Sequence, residues 1–381
     1  MYDLIIIGGG PSGSSAARIA GKSNLDTLLI EKESFPRYKP CGGGLSEQAM
    51  SYLDFAVPDH ILERNVYGAR VHYRNWKIEQ QKKYRIAATV SRSVFDGYLL
   101  HKAEETKIKV NYSEKVLDII EHQSHVDVIS DKDTYRAKFA IIAEGSSGKL
   151  KNTIRRKDRE NEFAVCAVTE IPASNQEIDG YIYDSIDIHF GIANLGYGWV
   201  FPHERYFSVG IGGLAQDMSQ PKKVLAEFLT HNGFNEFDVD DFKVHTIPAG
   251  GIKRKLYGNR TILVGDSGGH ADSFLGEGIA YAIRSGQIAA EVILRNLNDN
   301  AKVDLHSYKD RCQKEFGDNL RYSLILSKLM HKFPNVFFRI LASQSTVLNK
   351  YLEVPAKRIS YKEYIKWLVP RVPVLLVSRS K

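Results

Sequence analysis

The chain has 381 residues, of which 43% are hydrophobic and 25% are charged. This composition excludes intrinsically disordered, collagen-like and disulfide-scaffold proteins, and the length predicts about two domains with a substantial core. The net charge of +7 is unevenly placed, because residues 301–381 carry 16 basic and 6 acidic side chains while the first 300 residues carry 36 and 39. A general nucleic-acid-binding surface is therefore not expected, and only the C-terminal end is basic.

The cysteines and the apolar runs indicate the cellular compartment. Cys41, Cys166 and Cys312 are few, odd in number and widely spaced, which predicts a reducing compartment and no structural disulfide. No basic region precedes the short apolar run at 4–7, so we expect no signal peptide. Because no apolar run approaches the roughly 20 residues that cross a bilayer, we expect a cytoplasmic protein, peripheral on the inner membrane face if it meets a membrane. No pattern predicts a metal site.

The N-terminal segment predicts a strand, a glycine turn, a helix and a second strand. Gly8, Gly10 and Gly13 have the dinucleotide-binding spacing, and Glu31 ends the second strand 18 residues after Gly13. The glycines permit a tight turn, a close approach to pyrophosphate and helix packing, while Glu31 accepts hydrogen bonds from ribose hydroxyls. A glycine-rich turn in an unrelated α/β protein is the alternative, but strand, helix and acid together favour nucleotide binding.

A second candidate ligand site lies far along the chain. The apolar strand predicted at 261–266 ends in Asp266, and a helix is predicted to begin near Glu277, Gly278 and Ile279. At such a sheet edge the carboxylate can accept from flavin ribityl hydroxyls, and the Gly278 and Ile279 amides can meet the electron-rich edge of the flavin ring. An aspartate that caps a helix explains Asp266 equally well.

The middle of the chain predicts a helix and a small antiparallel meander. The helix covers 91–105, short strands follow at 115–121, 125–130 and 134–136, and an apolar strand at 139–145 returns to the parallel sheet. This order predicts one sheet with parallel and antiparallel parts.

Residues 162–248 predict a second, mostly antiparallel sheet, since they are rich in β-branched and aromatic residues separated by glycine turns. One helix is predicted on it at 219–232, beginning at Ser219 or Pro221. From residue 275 onward the pattern is mainly helical.

A partial second fingerprint, Gly210-x-Gly212-x-x-Ala215, follows a predicted strand. Pro221 delays the next helix, so we interpret the glycines as a β-turn or bulge and predict no second nucleotide-binding domain.

Taken together, these segments resemble the FAD-dependent geranylgeranyl reductase family, the digeranylgeranylglycerophospholipid reductases included, within the hydroxybenzoate-hydroxylase-like flavoproteins. CGGGLS and YGWVFP are the most specific motifs. The full set is GGGPSGSSAA with Glu31, PRYKPCGGGLS at 36–46, Arg92 with Asp96, AEGSSGKL at 143–150, GYGWVFP at 196–202 and GDSGGHADSFLGEGIAYAIRSG at 265–286.

The resemblance and the patterns together predict an α/β fold. A Rossmann-like FAD-binding domain, with a parallel sheet and an antiparallel meander, is joined to a mostly antiparallel substrate domain and a helical C-terminal region. The predicted bounds are 1–60, 86–150 and 255–300 for the FAD-binding domain, 61–85 and 151–254 for the substrate domain, and 301–381 for the basic helical region.

The resemblance implies FAD as the cofactor and assigns residues to it. Gly13 and Glu31 hold the ADP half, Arg92 reaches the pyrophosphate and backbone near Val116 meets adenine. The residues implied for the ribityl chain and the flavin ring are Asp266, Gly278, Ile279, Cys41, Gly42 and Gly44.

The implied substrate pocket is aromatic and apolar. Tyr197, Trp199 and Phe201 are expected to wall a tunnel for an isoprenoid chain, which has no hydrogen-bonding groups. The implied reaction saturates isolated C=C bonds by hydride from reduced FAD plus a proton. Cys41 is the candidate proton donor in its glycine loop, and a small packing residue is the alternative.

Two other functions remain open from the sequence. A monooxygenase or halogenase shares the broad fold, although a halogenase is expected to have two tryptophans where Tyr197 and Trp199 stand. The other is a flavin-binding electron-transfer protein without its own catalysis.

The substrate head group and the electron donor are less specified. Members of the family act on archaeal diether lipids, on a chlorophyll precursor and on menaquinone side chains. We favour an archaeal-type phospholipid because a phosphate suits the basic C-terminal end. NAD(P)H or a ferredoxin-like carrier is expected as the reductant, since no second nucleotide fold is predicted.

The last 32 residues carry eight basic and two acidic side chains. Tyr361, Tyr364, Ile365 and Leu368 have helical spacing, which predicts an amphipathic helix with a basic polar side. Residues 350–381 are therefore a candidate docking segment for an anionic membrane surface. The alternative is that the apolar face of this helix packs on the protein itself.

Overall fold

A computed structural model describes residues 1–298 and 303–372. Its strands, in chain order, are β1 (Tyr2–Ile7), β2 (Thr27–Ile30), β3 (Gly44–Ser46), β4 (Arg64–Val66), β5 (Gly68–Tyr73), β6 (Trp76–Gln81), β7 (Ala87–Thr89), β8 (Lys109–Asn111), β9 (Val116–Glu121), β10 (Val126–Ser130), β11 (Thr134–Ile142), β12 (Phe163–Pro172), β13 (Ser185–Phe190), β14 (Tyr197–Pro202), β15 (Tyr206–Leu214), β16 (Lys243–Pro248) and β17 (Thr261–Leu263).

The helices lie between these strands and, after β17, follow one another along the chain. In chain order they are α1 (Pro11–Lys22), α2 (Glu47–Met50), α3 (Arg92–Glu104), α4 (Asn175–Tyr181), α5 (Pro221–His231), α6 (Gly265–Gly268), α7 (Ile279–Asn298), α8 (His306–Cys312), α9 (Asp318–Lys332), α10 (Pro334–Ser343), α11 (Ser345–Tyr351) and α12 (Tyr361–Leu368).

The first sheet has the order β8-β2-β1-β11-β10-β9, with β17 also paired to β11. The pairs among β8, β2, β1, β11 and β17 are parallel, whereas β9, β10 and β11 form an antiparallel meander. Leu4 and Ile6 pack toward α1, α3 and α7, and Ile5 and Ile7 pack toward the opposite core, so β1 is buried on both faces as parallel strands usually are. The predicted parallel sheet with a meander is confirmed.

One strand replaces two predicted ones in this sheet. The strands expected at 134–136 and 139–145 are the single strand β11, in which Ala137 pairs with Val126 on one side and with Tyr2 on the other. The prediction of two strands was wrong because one continuous strand can pair along both of its edges. The first part of β11 pairs with β10 of the meander, and the rest pairs with β1 of the parallel sheet. The chain leaves the sheet after Ile142 and turns at Gly145, whose φ is +76°.

The second sheet has the order β16-β12-β15-β14-β13-β5-β6, and only the β5–β13 pair is parallel. Its prediction as a mostly antiparallel sheet is confirmed, and α5 begins at Pro221 as predicted. Helices α4 and α5 cover one face, while the other face packs on the helices from α9 to α12. A small third sheet has the order β3-β7-β4. The numbered domain boundaries stay a prediction.

The glycines of the partial second fingerprint lie inside a regular strand. β15 pairs without interruption with both β12 and β14 across Gly210 and Gly212, so the prediction of a turn or bulge was wrong. The physical reason is side-chain space, since a Cβ atom at Gly210 would lie 2.2 Å from the Trp199 ring and one at Gly212 would lie 2.8 Å from Cys166 Sγ. These glycines make room for neighbours within the sheet.

The strand predicted at 261–266 is shorter than expected. β17 ends at Leu263, and Asp266 lies in the short helix α6 rather than at the end of the strand. The predicted start of the next helix is confirmed, because α7 begins at Ile279.

The described C-terminal region is helical, as predicted. In α12 the side chains of Tyr361, Tyr364 and Leu368 are buried against the protein itself, which is the second of the two interpretations left open for this helix. Residues 373–381 of the candidate docking segment lie outside the described residues. None of the described helices combines the length and the apolar character that a membrane span requires.

Candidate active site

Two cavities meet at the carboxyl edge of the first sheet, the edge at which open α/β sheets bind ligands. We call the larger one, of about 620 Å³, the cleft. It brings together predicted residues from distant parts of the sequence, namely Gly8, Gly10, Glu31, Cys41, Arg92, Val116, Asp266, Gly278 and Ile279.

The turn between β1 and α1 aims backbone N–H groups at the cleft. Gly8 has a φ of +103°, a conformation that favours glycine. Gly10 is the N-cap of α1 without a capping side chain, so the first N–H groups of the helix and the positive end of its dipole are free for an anion. Gly13 does not line the cleft; a Cβ atom there would lie 1.8 Å from the Gly8 carbonyl oxygen, and the glycine permits the helix to pack on the turn.

Backbone groups fix the Glu31 carboxylate at the end of β2. Its Oε2 accepts from the Gly9 N–H at 2.6 Å and its Oε1 from the Glu33 N–H at 3.0 Å. The Glu114 N–H donates to the Glu31 carbonyl at 3.0 Å, which brings the start of β9 with Val116 to the same end of the cleft. The predicted ribose and adenine residues therefore lie together.

Two arginines that line the cleft share one buried carboxylate behind them, that of Asp96. Arg92 donates to Asp96 from Nε at 2.8 Å and from Nη2 at 2.9 Å, and Arg37 Nη2 lies 3.1 Å from the same carboxylate. Burial by itself lowers the pKa of Arg92, but Asp96 and the neighbouring Cys41 thiol raise it above its ordinary value. Arg37 also lies 3.6 Å from the Cβ position of Gly10, so a cation stands beside the start of α1.

A second charged cluster in the cleft surrounds Asp266. Burial raises the pKa of Asp266, and the nearby Lys39, Arg92 and Lys151 oppose this rise. Burial, Lys39 and Arg92 lower the pKa of His245 to about 3, so the imidazole is neutral. Among the described residues neither the Asp266 carboxylate nor the buried His245 Nδ1 has a hydrogen-bond partner.

The second cavity, which we call the chamber, has a volume of about 270 Å³ and is mostly apolar. Its wall includes Gly42 and Gly44, whose Cβ positions lie 3.0 and 3.4 Å from the Phe201 ring; these two glycines do not line the cleft. The residues that line both cavities are Cys41, His245, Ile247, Gly276, Gly278 and Ile279.

Alternate residues of β14 form an aromatic wall of the chamber, because side chains two apart on a strand share a face. The ring centroids of Tyr197 and Trp199 are 6.1 Å apart, and those of Trp199 and Phe201 are 6.4 Å apart. The Tyr197 hydroxyl donates to the Leu275 carbonyl. The three predicted substrate residues therefore lie together against an otherwise apolar space.

Cys41 lies where the two cavities meet. Its side chain is partly buried, whereas Cys166 and Cys312 are buried, and all three thiols are free. The Cys41 carbonyl accepts from the Ser208 hydroxyl at 3.3 Å. The position of Cys41 beside Arg92 and between the cavities fits either a reacting thiol or a small wall residue.

Two acidic side chains in the chamber were missed by sequence reasoning. Glu277 Oε1 accepts from the Ser46 hydroxyl, and no described group hydrogen-bonds its Oε2. Asp272 Oδ1 accepts from the Phe274 and Leu275 N–H groups at 2.5 and 3.0 Å, and the Tyr361 hydroxyl faces the same carboxylate. Burial raises the pKa of Glu277 to about 7; the Ser46 hydroxyl opposes this rise and Asp272 adds to it.

The cleft has the donors and acceptors that FAD requires. A free helix N-terminus with two arginines suits the pyrophosphate, and Glu31 suits a ribose. The unpartnered Asp266 carboxylate and His245 Nδ1 suit the polar groups of the ribityl chain and the flavin ring.

The FAD binding domain family matches residues 1–318. The chain belongs to this family. It is a FAD-dependent oxidoreductase, and the resemblance to geranylgeranyl reductases inferred from its sequence is confirmed by its relatives. A digeranylgeranylglycerophospholipid reductase of Methanococcus vannielii is 28% identical over 356 residues, covering 86% of this chain and 87% of that protein.

Other proteins extend the similarity to the whole chain. An uncharacterised protein of Methanosarcina barkeri is 29% identical over 380 residues, covering 100% of this chain and 96% of that one. The crystal structure of a geranylgeranyl bacteriochlorophyll reductase-like protein of Thermoplasma acidophilum superposes with a TM-score of 0.80 at 23% identity, covering 98% of each chain. A flavin-dependent brominase shares the fold, with a TM-score of 0.69 at 18% identity and coverage of 97% of this chain and 99% of that one.

Sequence reasoning missed Arg37, Lys39, His245, Asp272 and Glu277. The only signal for the first two is their position in the PRYKPCGGGLS motif, and for the last two their position in the long glycine-rich motif after β17. His245 carries no local signal, since it lies in an ordinary strand and reaches the site only through the packing of the second sheet on the first.

Proposed function

We propose that the protein reduces isolated C=C bonds of an isoprenoid chain that lies in the chamber. The observation that carries this proposal is the shared wall, because an aromatic, apolar chamber adjoins the FAD cleft through Cys41 and Gly278. Relatives named as reductases of digeranylgeranylglycerophospholipid and of geranylgeranyl diphosphate support the same substrate class.

We assign the cofactor contacts as follows. Gly8, Gly10 and Glu31 hold the ADP half, with Val116 at the adenine, and Gly13 lets α1 pack on the turn that carries Gly8 and Gly10. Arg92, with Arg37, neutralises the pyrophosphate. Asp266, Gly278, Ile279 and Cys41 position the ribityl chain and the flavin ring. Gly42 and Gly44 of the same loop lie on the chamber side, against the Phe201 ring.

FAD, when bound and reduced, supplies the hydride for one alkene carbon. Tyr197, Trp199 and Phe201 exclude water and align the chain, which has no polar group for a directional contact. The protein must also deliver a proton to the other alkene carbon.

We propose Glu277 as the group that delivers this proton. With a pKa of about 7, the carboxyl is substantially protonated at neutral pH, and the Ser46 hydroxyl occupies Oε1, so Oε2 can hold the proton toward the chamber. In the reaction the Oε2–H bond breaks, a C–H bond forms and Glu277 is left as a carboxylate that regains its proton from solvent. Neutral His245 has no proton of comparable acidity to give, whereas Cys41 remains the alternative donor that the sequence suggested.

The head group of the substrate is expected to stay outside the chamber. Asp272 is buried and Glu277 is partly buried on its wall, and the one lysine or arginine among its described wall residues, Lys328, is exposed. A phosphate inside would therefore meet carboxyls without a buried cation. This favours a long lipid with its phosphate at the surface, of the archaeal phospholipid type. We expect NAD(P)H or a ferredoxin-like carrier to reduce the flavin.

The cations of residues 350–381 are proposed to assist attraction to an anionic membrane. Because the apolar face of α12 is buried, its exposed Lys366 and the exposed Arg371 contribute charge rather than apolar insertion. Replacing both by glutamine is expected to weaken sedimentation with anionic vesicles at low salt, and unchanged binding would remove this segment from the proposal.

The function is tested by anaerobic incubation with chemically reduced FAD and a panel of prenyl lipids. Mass gains of two hydrogens per double bond are expected, and a diether phospholipid is expected to react fastest. A requirement for oxygen would favour a monooxygenase or halogenase instead. Bound, reducible FAD without turnover of any prenyl lipid would favour an electron-transfer protein.

A further inference from the structure

The corner between α9 and α10 exposes a cluster of large apolar side chains. Leu329 is 45% exposed, Phe333 50% and Val336 42%. They lie within eight residues of each other along the chain, on the last turn of α9, in the connection and on the first turn of α10. Single exposed apolar side chains are ordinary on a soluble protein, but a group of them marks an interaction surface.

Cations border this cluster and carboxylates are absent from it. Lys328, Lys332 and Arg339 are exposed, and among the described ion pairs none involves them. Residues 319–352 contain five basic and no acidic side chains. We call the six residues Lys328, Leu329, Lys332, Phe333, Val336 and Arg339 the corner surface.

A hairpin of the second sheet continues the corner surface. Tyr73 stacks on Phe338 of α10 with ring centroids 4.2 Å apart, and its hydroxyl donates to Asn335 Oδ1 at 3.1 Å. Trp76, 37% exposed, lies 6.1 Å from the Tyr73 ring. Tryptophan is favoured where an apolar phase meets water.

The corner surface also adjoins the chamber. Leu324, Ser327 and Lys328 of α9 line the chamber, and the next turn of α9 is tied to its wall because His331 Nε2 accepts from the Gly196 N–H at 2.9 Å. One side of α9 therefore faces the chamber while Leu329 and Lys332 face solvent.

We propose that the corner surface docks on an anionic lipid bilayer, with its apolar side chains among the acyl chains and its cations at the head groups. Charge decides between a bilayer and a second copy of this chain. In a symmetric dimer the corner surface of one copy meets the corner surface of the other. The three cations of each copy would then face the same three cations, and residues 319–352 supply no carboxylate to neutralise them. An anionic leaflet supplies the opposite charge.

The docked orientation gives the chamber a route to the lipid phase. In this orientation only the width of α9 separates the chamber from the bilayer. An isoprenoid chain can therefore pass from the bilayer along Lys328 into the chamber while its head group stays at the membrane surface. This consequence rests on the proposed function; the docking itself does not.

Sedimentation with vesicles tests the docking without turnover. Vesicles of phosphatidylglycerol and phosphatidylcholine are compared with vesicles of phosphatidylcholine alone. The wild type is expected to prefer the anionic vesicles and to lose this preference at high salt. The variant Lys328→Gln, Lys332→Gln, Arg339→Gln is expected to bind anionic vesicles about 100-fold more weakly, which corresponds to about 1 kcal/mol for each cation. The variant Leu329→Ser, Phe333→Ser, Val336→Ser is expected to lose binding that persists at high salt.

Matched controls carry the same changes at exposed positions elsewhere. They are Lys107→Gln, Lys132→Gln, Lys223→Gln for charge and Val94→Ser, Ile120→Ser, Val239→Ser for apolar side chains. Equal losses in control and corner variants would overturn the proposal, as would a wild-type dimer that dissociates only in the corner variants. Bound FAD, measured by visible absorbance, verifies that every variant is folded.

A second comparison separates docking from the proposed reaction. The variant Leu329→Ser, Phe333→Ser, Val336→Ser and the double variant Lys332→Gln, Arg339→Gln leave the chamber wall unchanged. Both are expected to reduce a detergent-dispersed prenyl lipid at the wild-type rate and a vesicle-embedded one far more slowly. If the wild type reduces neither, the proposed function fails while the vesicle result still stands. If wild type and corner variants bind vesicles equally, the docking surface fails while the reductase activity still stands.

Discussion

The cleft and the chamber share six wall residues, yet their walls are chemically opposite. The cleft is built from backbone amides, two arginines and carboxylates, and most of these groups lie in segments that follow a parallel strand, whereas Arg92 begins α3. The chamber is built from one face of β14 and from helices near the C-terminus, and apolar side chains dominate it. Polar recognition thus depends on a few groups in local motifs, whereas an apolar cavity depends on packing between distant segments.

The largest loss of bound FAD is expected from a substitution that displaces the turn between β1 and α1, which forms part of the cleft. Gly13→Ala puts a Cβ atom 1.8 Å from the Gly8 carbonyl oxygen, a clash between backbone-fixed atoms that must displace α1. Purified protein is expected to contain no FAD and to melt at a lower temperature. Gly180→Ala is the control, since no atom lies within 4 Å of its Cβ position, and retention of FAD by Gly13→Ala would contradict this account of the turn.

The next effect concerns the chamber alone. Glu277→Gln cannot donate a carboxylic proton, so alkene reduction with chemically reduced FAD is expected to fall about 100-fold or more, with FAD content unchanged. The protonated form is the active one, so wild-type turnover is expected to fall as pH rises through about 7.

Three further measurements test whether the loss of turnover is specific to the Glu277 carboxyl. Glu236→Gln, at an exposed position, is expected to retain full turnover. Difference infrared spectra are expected to show one protonated carboxyl that is lost in Glu277→Gln and titrates near the same pH. Cys41→Ala and Cys41→Ser are expected to keep most turnover. A larger loss of turnover in these variants than in Glu277→Gln would identify the Cys41 thiol, rather than Glu277, as the proton donor.

A smaller effect is expected from the arginine that sequence reasoning missed. Arg37→Gln removes one of two cations near the start of α1 but leaves Arg92 paired with Asp96. FAD is expected to bind roughly tenfold more weakly, the loss of one charge-assisted contact. Equilibrium dialysis with apoprotein measures this, and Arg205→Gln on the exposed surface should bind FAD as the wild type does; equal affinities in all three proteins would exclude Arg37 from the site.

The smallest effect is expected at the aromatic wall. Tyr197→Phe keeps the ring but removes the hydrogen bond to the Leu275 carbonyl, a loss of about 1 kcal/mol that should appear as a lower Tm without loss of FAD. Tyr183→Phe, at a side chain 63% exposed, should melt as the wild type. A larger loss of bound FAD than of stability would mean that the wall also supports the cleft.

The errors in the sequence predictions have a common cause. The two strands expected at 134–136 and 139–145 are one strand, because pairing with β10 and with β1 keeps the whole segment extended. The glycines at 210 and 212 lie within a strand, because the neighbouring Trp199 ring and Cys166 side chain leave no room for a larger residue. Glu277 shows the same limit for the site. Its residue type and position are plain in the sequence, but its protonation follows from burial in the chamber.

The sequence by itself determined the glycine turn with Glu31, the parallel sheet with its meander, the helix at Ile279 and the family. These follow from short-range rules, since strand and helix periods and glycine spacing act within one βαβ unit or one turn. Only the tertiary structure decided that Arg37 joins Arg92, that Glu277 and Asp272 share an apolar chamber, that α12 buries its apolar face and that the corner of α9 and α10 leaves its apolar side chains exposed. Burial and electrostatic environment depend on which distant segments pack together, and no local pattern carries that information.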